Sequence, residues 1–534
     1  MRKTNKLFDR LPLFVATAVM GIFSVQTIIT NIITSSETAT ALSITSITSN
    51  IGPTSGGELV TITGDFGIPD IPLDIVQITS GNSHIVALDR DGQIWAWGGG
   101  ILGDGGTSSG SSVPVRVDMT GVLAGRTIVY ISAGTGHTLA LDSEGNVFAW
   151  GQGSVGQLGN NASTNSNIPV EVDMTGVLYG RTIIQVAAGS FASFALDSDG
   201  NIFSWGWGNQ HGLLGNGTTH TVSNVPVAVV TSGALAGRTI TQISSSGDHA
   251  LALDSEGNIF AWGRGWEGQF GNGTSGTSNI SSVPVAVDMT GILAGRTIVE
   301  IVGGAQDSFA IDSEGNVFAW GSNSQGQLGD GTNINQTLPT AVDMTGVLSG
   351  RNVVQLTIAR GMNTTTTVDS EGNVFAWGWN GSGQLGNGTI GGSSNIPTMV
   401  DSSGVLAGRK IVQITSGHSH TLALDSKGNV FAWGSNPQGQ FGNGTNTGSN
   451  VPILITNFGA SANPIEYITL GDLPCTNITV INPNTVTCTT PAHQAGIVDV
   501  TVRTLHGSVT LYQSYTFIDL PDVPNTGHGR TEEN

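Results

Sequence analysis

Short apolar runs alternate with Gly-rich turns along most of the chain, and the order of these runs repeats. Residues 411–455, IVQITSGHSHTLALDSKGNVFAWGSNPQGQFGNGTNTGSNVPILI, show the pattern in full. IVQIT is a β-branched run, HTLALDS and GNVFAWG alternate apolar and polar residues around an Asp/Ser/Gly turn, and VPILI has Pro near its start. Period-two alternation predicts strands, and the two alternating runs predict a hairpin. We therefore expect four short strands in this stretch.

The Trp of the AWG run marks seven copies of this pattern, at Trp97, Trp150, Trp205, Trp262, Trp320, Trp377 and Trp433. Successive copies are 53, 55, 57, 58, 57 and 56 residues apart. Helical solenoids are excluded because no segment after the N-terminal apolar run sustains a 3.6-residue period, and β-solenoid repeats are usually much shorter. Seven units of four strands predict an all-β fold with a seven-bladed β-propeller over residues 72–457.

The repeat also resembles a known family. The pattern I-x-x-I-x-x-G-x-x-H-x-x-A-L-x-x-x-G-x-V-F-x-W-G, followed by GQLGNGT and PV, is similar to the repeat of the regulator of chromosome condensation, RCC1. The resemblance covers residues 72–457 and implies a seven-bladed propeller. It also implies protein binding, since that family includes a nucleotide exchange factor for a small GTPase and secreted bacterial inhibitors of β-lactamase.

The repeated residues are expected to hold the fold together. We expect each Trp and the Phe before it, such as Phe148 and Trp150, to point to opposite faces of one strand and to pack between blades. The His of the GxxH motif is His84, His137, His249 or His420, whereas the other repeats have Ala192, Asp307 or Thr364. A catalytic or metal-binding ring would not survive those changes, so we predict a packing or hydrogen-bonding role.

A connection related to DMTGVLAGRTI recurs between the repeats. Its Arg is Arg126, Arg181, Arg238, Arg296, Arg351 or Arg409, and the Asp upstream of it is Asp118, Asp173, Asp288, Asp343 or Asp401, with Thr231 in the remaining copy. Arg pairs strongly with carboxylates, so we predict that an Asp–Arg pair secures each connection; an anion site repeated six times is the alternative. The turns DRDG (89–92) and DSDG (197–200) lack the downstream ligands of a calcium loop, so we predict hairpin turns and neither metal nor cofactor.

Residues 43–67, SITSITSNIGPTSGGELVTITGDFG, depart from the repeat. The positions Ile47, Gly52, Pro53, Gly56, Gly57, Val60, Ile62 and Gly64 resemble the opening of an IPT/TIG domain, an immunoglobulin-like β-sandwich. Such a sandwich needs about 80 residues, and residues 465–519 resemble its remainder. We therefore predict that the propeller is inserted into a loop of one split sandwich; two unrelated flanking fragments are the alternative. Cys475 and Cys488 would then form a disulfide within it.

The N-terminal segment 1–41 predicts export. Arg2, Lys3, Lys6 and Arg10 precede a mostly apolar run, 11–33, and then Ala39-Thr40-Ala41. This order is typical of a signal peptide cleaved after Ala41, and an uncleaved signal anchor is the alternative. Either way we expect membrane contact through this segment only, and an extracytoplasmic chain, secreted or at the cell surface of a bacterium. The tail 520–534 is expected to be disordered, and its VPNTG is either a truncated sorting signal or a chance likeness.

The composition and the missing motifs point to binding rather than catalysis. A net charge of −20 makes nucleic acid a poor partner. No H-E-x-x-H or P-loop motif occurs, so we predict a non-enzymatic scaffold that recognises an unknown protein through the loops between Trp-Gly and Pro-Val. Glycan adhesion through Trp207, Trp266 and Trp379, or inhibition of an exported enzyme, is the alternative. Nucleotide exchange is not expected outside the cytoplasm, and the oligomeric state stays open.

Overall fold

A computed structural model describes residues 42–65, 74–107, 109–208, 211–245, 247–361, 363–455, 465–482, 485–504 and 507–518. These residues form two compact units. One contains the described residues between 74 and 455, and the other combines 42–65 with those between 465 and 518. The predicted leader 1–41 and the tail 520–534 lie outside the described residues. Within the described ranges, no helix is long and apolar enough to span a membrane.

The strands follow the predicted period. The first three are β1 (Ser43–Thr48), β2 (Ile51–Pro53) and β3 (Leu59–Asp65). Blade 1 has β4 (Ile75–Ser80), β5 (His84–Asp89), β6 (Ile94–Gly99) and β7 (Gly110–Arg116). Blade 2 has β8 (Ile128–Ala133), β9 (His137–Asp142), β10 (Val147–Gly151) and β11 (Ser166–Glu171). Blade 3 has β12 (Ile183–Ala188), β13 (Ala192–Asp197), β14 (Ile202–Trp207) and β15 (Val222–Ala228), followed by a 3₁₀ turn at Gly233–Leu235.

The remaining blades repeat this order. Blade 4 has β16 (Ile240–Ser245), β17 (His249–Asp254), β18 (Ile259–Arg264) and β19 (Ile280–Ala286). Blade 5 has β20 (Ile298–Gly303), β21 (Asp307–Asp312), β22 (Val317–Gly321) and β23 (Gln336–Ala341). Blade 6 has β24 (Val353–Ile358), β25 (Thr364–Asp369), β26 (Val374–Trp379) and β27 (Ser393–Met399). Blade 7 has β28 (Ile411–Ser416), β29 (His420–Asp425), β30 (Val430–Gly434) and β31 (Ser449–Ile455).

Each blade is an antiparallel sheet of four consecutive strands, so no blade borrows a strand from another part of the chain. The seven-bladed propeller is therefore confirmed. The ring closes through side chains of the innermost strands. Gln413 of blade 7 accepts the Ile78 N–H of blade 1 at 2.8 Å, and Thr415 accepts the Ser80 N–H at 3.0 Å. Equivalent residues join other neighbouring blades: Gln77 exchanges two hydrogen bonds with the backbone of Ile131.

The repeated Trp residues are buried between blades. All seven have 0% exposed area. In six blades the indole N–H donates to a carbonyl of the preceding blade at 2.8–3.0 Å, the exception being Trp150. A Gly from the preceding blade packs on each ring, with φ between 62° and 86°: Gly103, Gly159, Gly215, Gly271, Gly329, Gly386 and Gly442. A Cβ there would lie 2.6–2.9 Å from the indole, so both the contact and the left-handed backbone require Gly.

The expectation that Phe148 and Trp150 point to opposite faces is wrong. Both belong to one apolar cluster with Ala140, whereas Val147 and Ala149 pack in the adjacent cluster. Residues two apart in a strand share a face, because side chains alternate with period two. Phe and Trp therefore face the same neighbouring blade.

The second unit is one β-sandwich built from both ends of the chain. Its later strands are β32 (Ile465–Leu470), β33 (Leu473–Pro474), β34 (Thr476–Asn482), β35 (Thr485–Thr489), β36 (Gly496–Thr504) and β37 (Gly507–Ile518). The two sheets have the orders β1-β3-β35-β34 and β2-β37-β36-β32-β33, so each contains strands from both segments. The inserted propeller is thus confirmed. Cys475 and Cys488 are bonded in the sandwich core, with Cα atoms 5.8 Å apart.

Candidate interaction face of the propeller

The antiparallel blades give the propeller two faces. At the connection face lie the hairpin turns between second and third strands and the linkers between blades. At the loop face lie the turns between first and second strands and the loops between third and fourth strands. These loops span 100–109 in blade 1, 152–165 in blade 2, 208–221 in blade 3, 265–279 in blade 4, 322–335 in blade 5, 380–392 in blade 6 and 435–448 in blade 7.

The connection face carries the six repeated Arg residues, but their predicted partners were wrong. Arg126 pairs with Asp142 at 3.1 Å rather than with Asp118, and Arg296 pairs with Asp312 at 2.6 Å rather than with Asp288. The other four make the same contact with the hairpin Asp: Arg181–Asp197, Arg238–Asp254, Arg351–Asp369 and Arg409–Asp425. The Arg therefore secures the start of its own blade.

The upstream Asp closes a local turn instead. Asp118 accepts the N–H of Thr120 at 2.8 Å and its hydroxyl at 2.6 Å. These hydrogen bonds lower the pKa of the Asp118 carboxyl, because they favour its ionised form. The hairpin turns predicted at 89–92 and 197–200 are confirmed, with Gly92 and Gly200 in the left-handed region. Among the described residues, no group of His, Cys, Asp and Glu is arranged to hold a metal ion.

Three of the four GxxH histidines join neighbouring blades, namely His84, His137 and His249. The Nε2 of the buried His420, by contrast, has no hydrogen-bond partner among the described residues. The imidazole Nε2 of His137 lies 2.9 Å from the Ser193 hydroxyl, and that of His249 lies 2.9 Å from the Ser308 hydroxyl. Burial lowers the pKa of His137 to about 3 and of His249 to about 4, so both rings are neutral at physiological pH. The predicted hydrogen-bonding role fits these contacts.

Blade 5 places two acids where other blades have neutral groups. Glu300 occupies the position of Gln77 and accepts the N–H of Leu356 in the next blade. Burial raises its pKa to about 8. Asp307 occupies a GxxH position, is 2% exposed, and has a pKa raised by burial to about 7. Both carboxyl groups therefore titrate near neutral pH. In the sequence, the only sign of this is that Glu300 and Asp307 differ from the residues at the same repeat positions in other blades.

The loop face is a continuous hydrogen-bonded surface. One backbone N–H in each long loop donates to a carbonyl of the next blade at 2.9 Å; the seven donors are Gly105, Asn161, Gly217, Gly273, Gly331, Gly388 and Gly444. Arg360, in the turn after β24, extends to the blades opposite and donates to the carbonyls of Ala133 at 2.7 Å and Ala188 at 3.1 Å. Its burial lowers the guanidinium pKa to about 10. The face is therefore held in place before any partner arrives.

Blades 3 and 4 add an aromatic and charged cluster to this face. Phe191 and Trp207 of blade 3 meet edge to face at 5.6 Å, and both are more than one-third exposed. In blade 4 the guanidinium of Arg264 lies 4.1 Å above the ring of Trp266, and its Nη1 lies 3.3 Å from the Asp248 carboxylate. We call Phe191, Trp207, His211, Asp248, Arg264 and Trp266 the blade 3–4 cluster.

His211 ties the cluster across the blade boundary, because its imidazole from the blade 3 loop contacts the Trp266 ring at 4.9 Å. Burial lowers the pKa of His211. The predicted candidates Trp207 and Trp266 thus belong to one region, whereas Trp379 ends β26 in blade 6 and is half-buried. Phe191, Arg264 and Asp248 were missed from the sequence, although Arg264 replaces the Gly, Gln, Ser or Trp of other blades at its position.

Comparison with family models agrees with this architecture. The model described as RCC1-like domain matches residues 124–472, and RCC1 repeat models match 75–103 and 91–141. The IPT/TIG domain model matches residues 441–517, a span that starts in blade 7 and omits the strands that residues 43–65 add to the sandwich.

Among curated proteins, the chain is 31% identical to the ultraviolet-B receptor UVR8 of Arabidopsis thaliana over 400 residues, which are 74% of this chain and 85% of UVR8. It is 32% identical over 356 residues to the human E3 ubiquitin-protein ligase HERC2, but that stretch is only 7% of HERC2. The solved structure of Prp20p from Saccharomyces cerevisiae, described with its binding to Gsp1p and histones, has a TM-score of 0.59 at 23% identity. The superposed region covers 75% of this chain and 91% of Prp20p, and a likeness at this level of identity shows the fold alone.

Proposed function

The chain belongs to the RCC1-like propeller family, and on that basis we propose that it is a non-enzymatic scaffold that binds a protein partner through its loop face. RCC1-like propeller proteins act in protein binding, as with Prp20p, which binds Gsp1p and histones. Those partners are properties of Prp20p. The partner of this chain must fit the residues that its own loop face presents.

The observation that carries the proposal is the blade 3–4 cluster. It combines exposed aromatic rings with an Arg–Asp pair, and aromatic and Arg side chains dominate the energy of protein interfaces. The cluster departs from the repeat, so blade packing does not require it. It also rests on loops fixed by hydrogen bonds, which reduces the entropy lost on binding.

We further propose that the chain works outside the cytoplasm, secreted or at a cell surface. The basic and apolar order of residues 1–41 supports export. The disulfide between Cys475 and Cys488 supports an oxidising compartment. Protease added to intact cells of the source organism would digest a surface-bound chain, and a secreted chain would be recovered from the medium. Full protection inside the cells would contradict export.

Catalysis is not part of the proposal. The GxxH histidines are buried and neutral; His84, His137 and His249 hydrogen-bond to hydroxyl groups that are themselves buried, and the Nε2 of His420 has no hydrogen-bond partner in the described part of the chain. Those hydroxyls have no open approach for a substrate, so these pairs do not provide a nucleophile and base. Turnover of a peptide, ester or glycoside substrate that persists in the purified chain would overturn this part of the proposal.

Glycan binding remains the alternative, and the geometry supports it less. A sugar stacks on an open aromatic face, but one face of Trp266 carries Arg264. Trp207 is 36% exposed and meets Phe191 at its ring, so it offers a single small platform. Inhibition of an exported enzyme would be a form of the protein binding proposed above.

The experiment is to identify partners by cross-linking and mass spectrometry, and then to measure their affinity for the full chain and its variants. Trp207→Ser and Arg264→Ser introduce the Ser that blades 5 and 7 carry as Ser322 and Ser435, so both variants should fold. We expect each to weaken binding about tenfold or more. Tyr179→Ala on the connection face, where the ring is 81% exposed, is the matched control and should leave affinity unchanged. Equal affinity of all variants would refute the assignment to this face.

A further inference from the structure

Lysine is almost absent from this chain, yet two lysines meet at one place. Lys410 and Lys427 are the only lysines after Lys6. Both are exposed at the connection face of blade 7. Together with Arg409 they line a shallow pocket of about 320 Å³, formed by the end of the linker (407–410) and the hairpin turn (425–427).

Where the linker meets the hairpin turn, a place we call the corner of the blade, blade 7 carries a positive charge and blades 2 to 6 carry a negative one. In blades 2 to 6 the position of Lys427 holds an acid, and that of Lys410 holds Thr or Asn: Glu144, Asp199, Glu256, Glu314 and Glu371, and Thr127, Thr182, Thr239, Thr297 and Asn352. One Arg, one buried Asp and one exposed acid give those corners a formal charge of −1. In blade 7, one Arg and two Lys against one Asp give +2.

The cations of this pocket are held on a fixed frame. Arg409 donates from Nη1 to Asp425 at 2.7 Å and from Nε to the Val405 carbonyl at 2.9 Å, and 30% of its side chain stays exposed. The Ser426 N–H donates to the Lys410 carbonyl at 2.9 Å, which holds the linker against the turn that carries Lys427. The frame therefore brings three cationic side chains to one opening.

Nearby acids do not cancel this charge. Asp425 is 3% exposed and already accepts the Arg409 and Asn429 side chains. Asp74 of blade 1 lies beside Gly428, but its carboxylate is paired with the Arg90 guanidinium. Elsewhere in the repeat, as in blade 4, an exposed Glu256 contacts Arg238 at 2.6 Å and occupies the corner itself.

We propose that the blade 7 pocket binds a tetrahedral oxyanion, a phosphate or sulfate group. Its formal charge matches a phosphate monoester, which carries a charge of about −1.5 to −2 and three acceptor oxygens. Arg and Lys are the side chains that hold such groups. The net charge of −20 repels long polyanions, so the ligand is a discrete group rather than nucleic acid.

Amine labelling of the full chain tests this site directly. Lys410 and Lys427 are modified with an amine-reactive ester and quantified by mass spectrometry in rising inorganic phosphate, sulfate or acetate at constant ionic strength. We expect phosphate or sulfate to slow labelling of both lysines at least about threefold, in a saturable way, as occupancy rises. The α-amino group of the chain is the internal control, and its labelling should not change. Protection that is absent, that does not saturate or that acetate matches would overturn the proposal.

Variants that exchange residues between equivalent positions of blades 5 and 7 should fold, because the other blade already carries the same residues at those positions. Lys410→Thr with Lys427→Glu restores the blade 5 residues and should abolish the heat of phosphate binding in calorimetry. Thr297→Lys with Glu314→Lys transfers the pocket to blade 5 and should add a second site of similar affinity. Unchanged binding in the first double variant would refute the site, as would a transferred pocket that binds nothing. Tighter binding of glycerol phosphate than of inorganic phosphate would show that the group is presented as an ester.

Discussion

Glu300→Gln should stabilise the propeller, because it restores the residue that five other blades carry at this position. Gln77 and Gln185 each accept a backbone N–H from the next blade and donate to the carbonyl of the same residue. Glu300 accepts the corresponding N–H, from Leu356, but when ionised it has no proton to donate. The substitution adds that donor and removes a partly buried charge.

The magnitude follows from the pKa of Glu300, which burial raises from 4.5 to about 8. A raised pKa in the folded state favours folding below the unfolded value, and this contribution is lost as pH rises towards the folded value. Each pH unit above 4.5 costs about 1.4 kcal/mol until the folded group ionises, so the variant should gain about 3 kcal/mol at pH 7 and under about 1 kcal/mol at pH 5. Partial exposure of the side chain makes these upper bounds.

The assay is unfolding of the full chain and of Glu300→Gln between pH 5 and pH 8, followed by Trp fluorescence. All 11 Trp residues lie between positions 95 and 433, so the signal reports on the propeller alone. Asp307, whose pKa is about 7, is present in both proteins and cancels in the difference. Equal stability of the two proteins at every pH, or a gain that does not grow between pH 5 and pH 8, would refute the reasoning.

Three further predictions concern the scaffold. Arg296→Ala leaves Asp312 buried without its cation and should lower the free energy of unfolding in urea by about 2 kcal/mol. Asp288→Ala should lower it by less than about 1 kcal/mol. A larger loss for Asp288→Ala than for Arg296→Ala would instead support pairing of Arg296 with Asp288. Gly329→Ala forces a Cβ to within 2.6 Å of the next indole at φ 71° and should lower propeller stability by at least about 2 kcal/mol, so a neutral effect on thermal unfolding would contradict the packing. Cys488→Ser removes the disulfide between residues 13 apart in sequence and should lower the unfolding free energy of the sandwich by about 3 kcal/mol, measured by calorimetry. The unfolding transition of the propeller, followed by Trp fluorescence, should stay unchanged.

The repeat made most of the propeller predictable, because each strand recurs with its own alternation and turn residues. The sandwich was predictable as well, since neither segment could close a two-sheet core by itself. The carboxylate partners of the six Arg residues could not be predicted from the sequence. Asp118 lies 8 residues before Arg126 and is the nearer acid in sequence, but it closes its own turn, while Asp142 returns to Arg126 only after the hairpin has folded. Sequence spacing cannot show which of two acids a folded hairpin brings back.

The candidate site was only partly predictable for the same reason. Trp207 and Trp266 stood out as aromatic residues outside the repeated positions, but their neighbours come from different loops. Arg360 spans from one side of the ring to the other, a contact that depends on the closed circle of blades. Breaks in the repeat, such as Glu300, Arg264 and Lys427, are the sequence signal that would have located these features.

Hydrogen–deuterium exchange on the complex with its identified protein partner tests the central claim most directly. If the loop face binds the partner, backbone amides in 189–191, 211–221 and 264–279 should exchange more slowly in the complex than in the free chain, while linker residues 174–180 on the connection face keep their free rates. Slowed exchange confined to the linkers, with the blade 3 and 4 loops unchanged, would contradict the assignment of binding to the loop face.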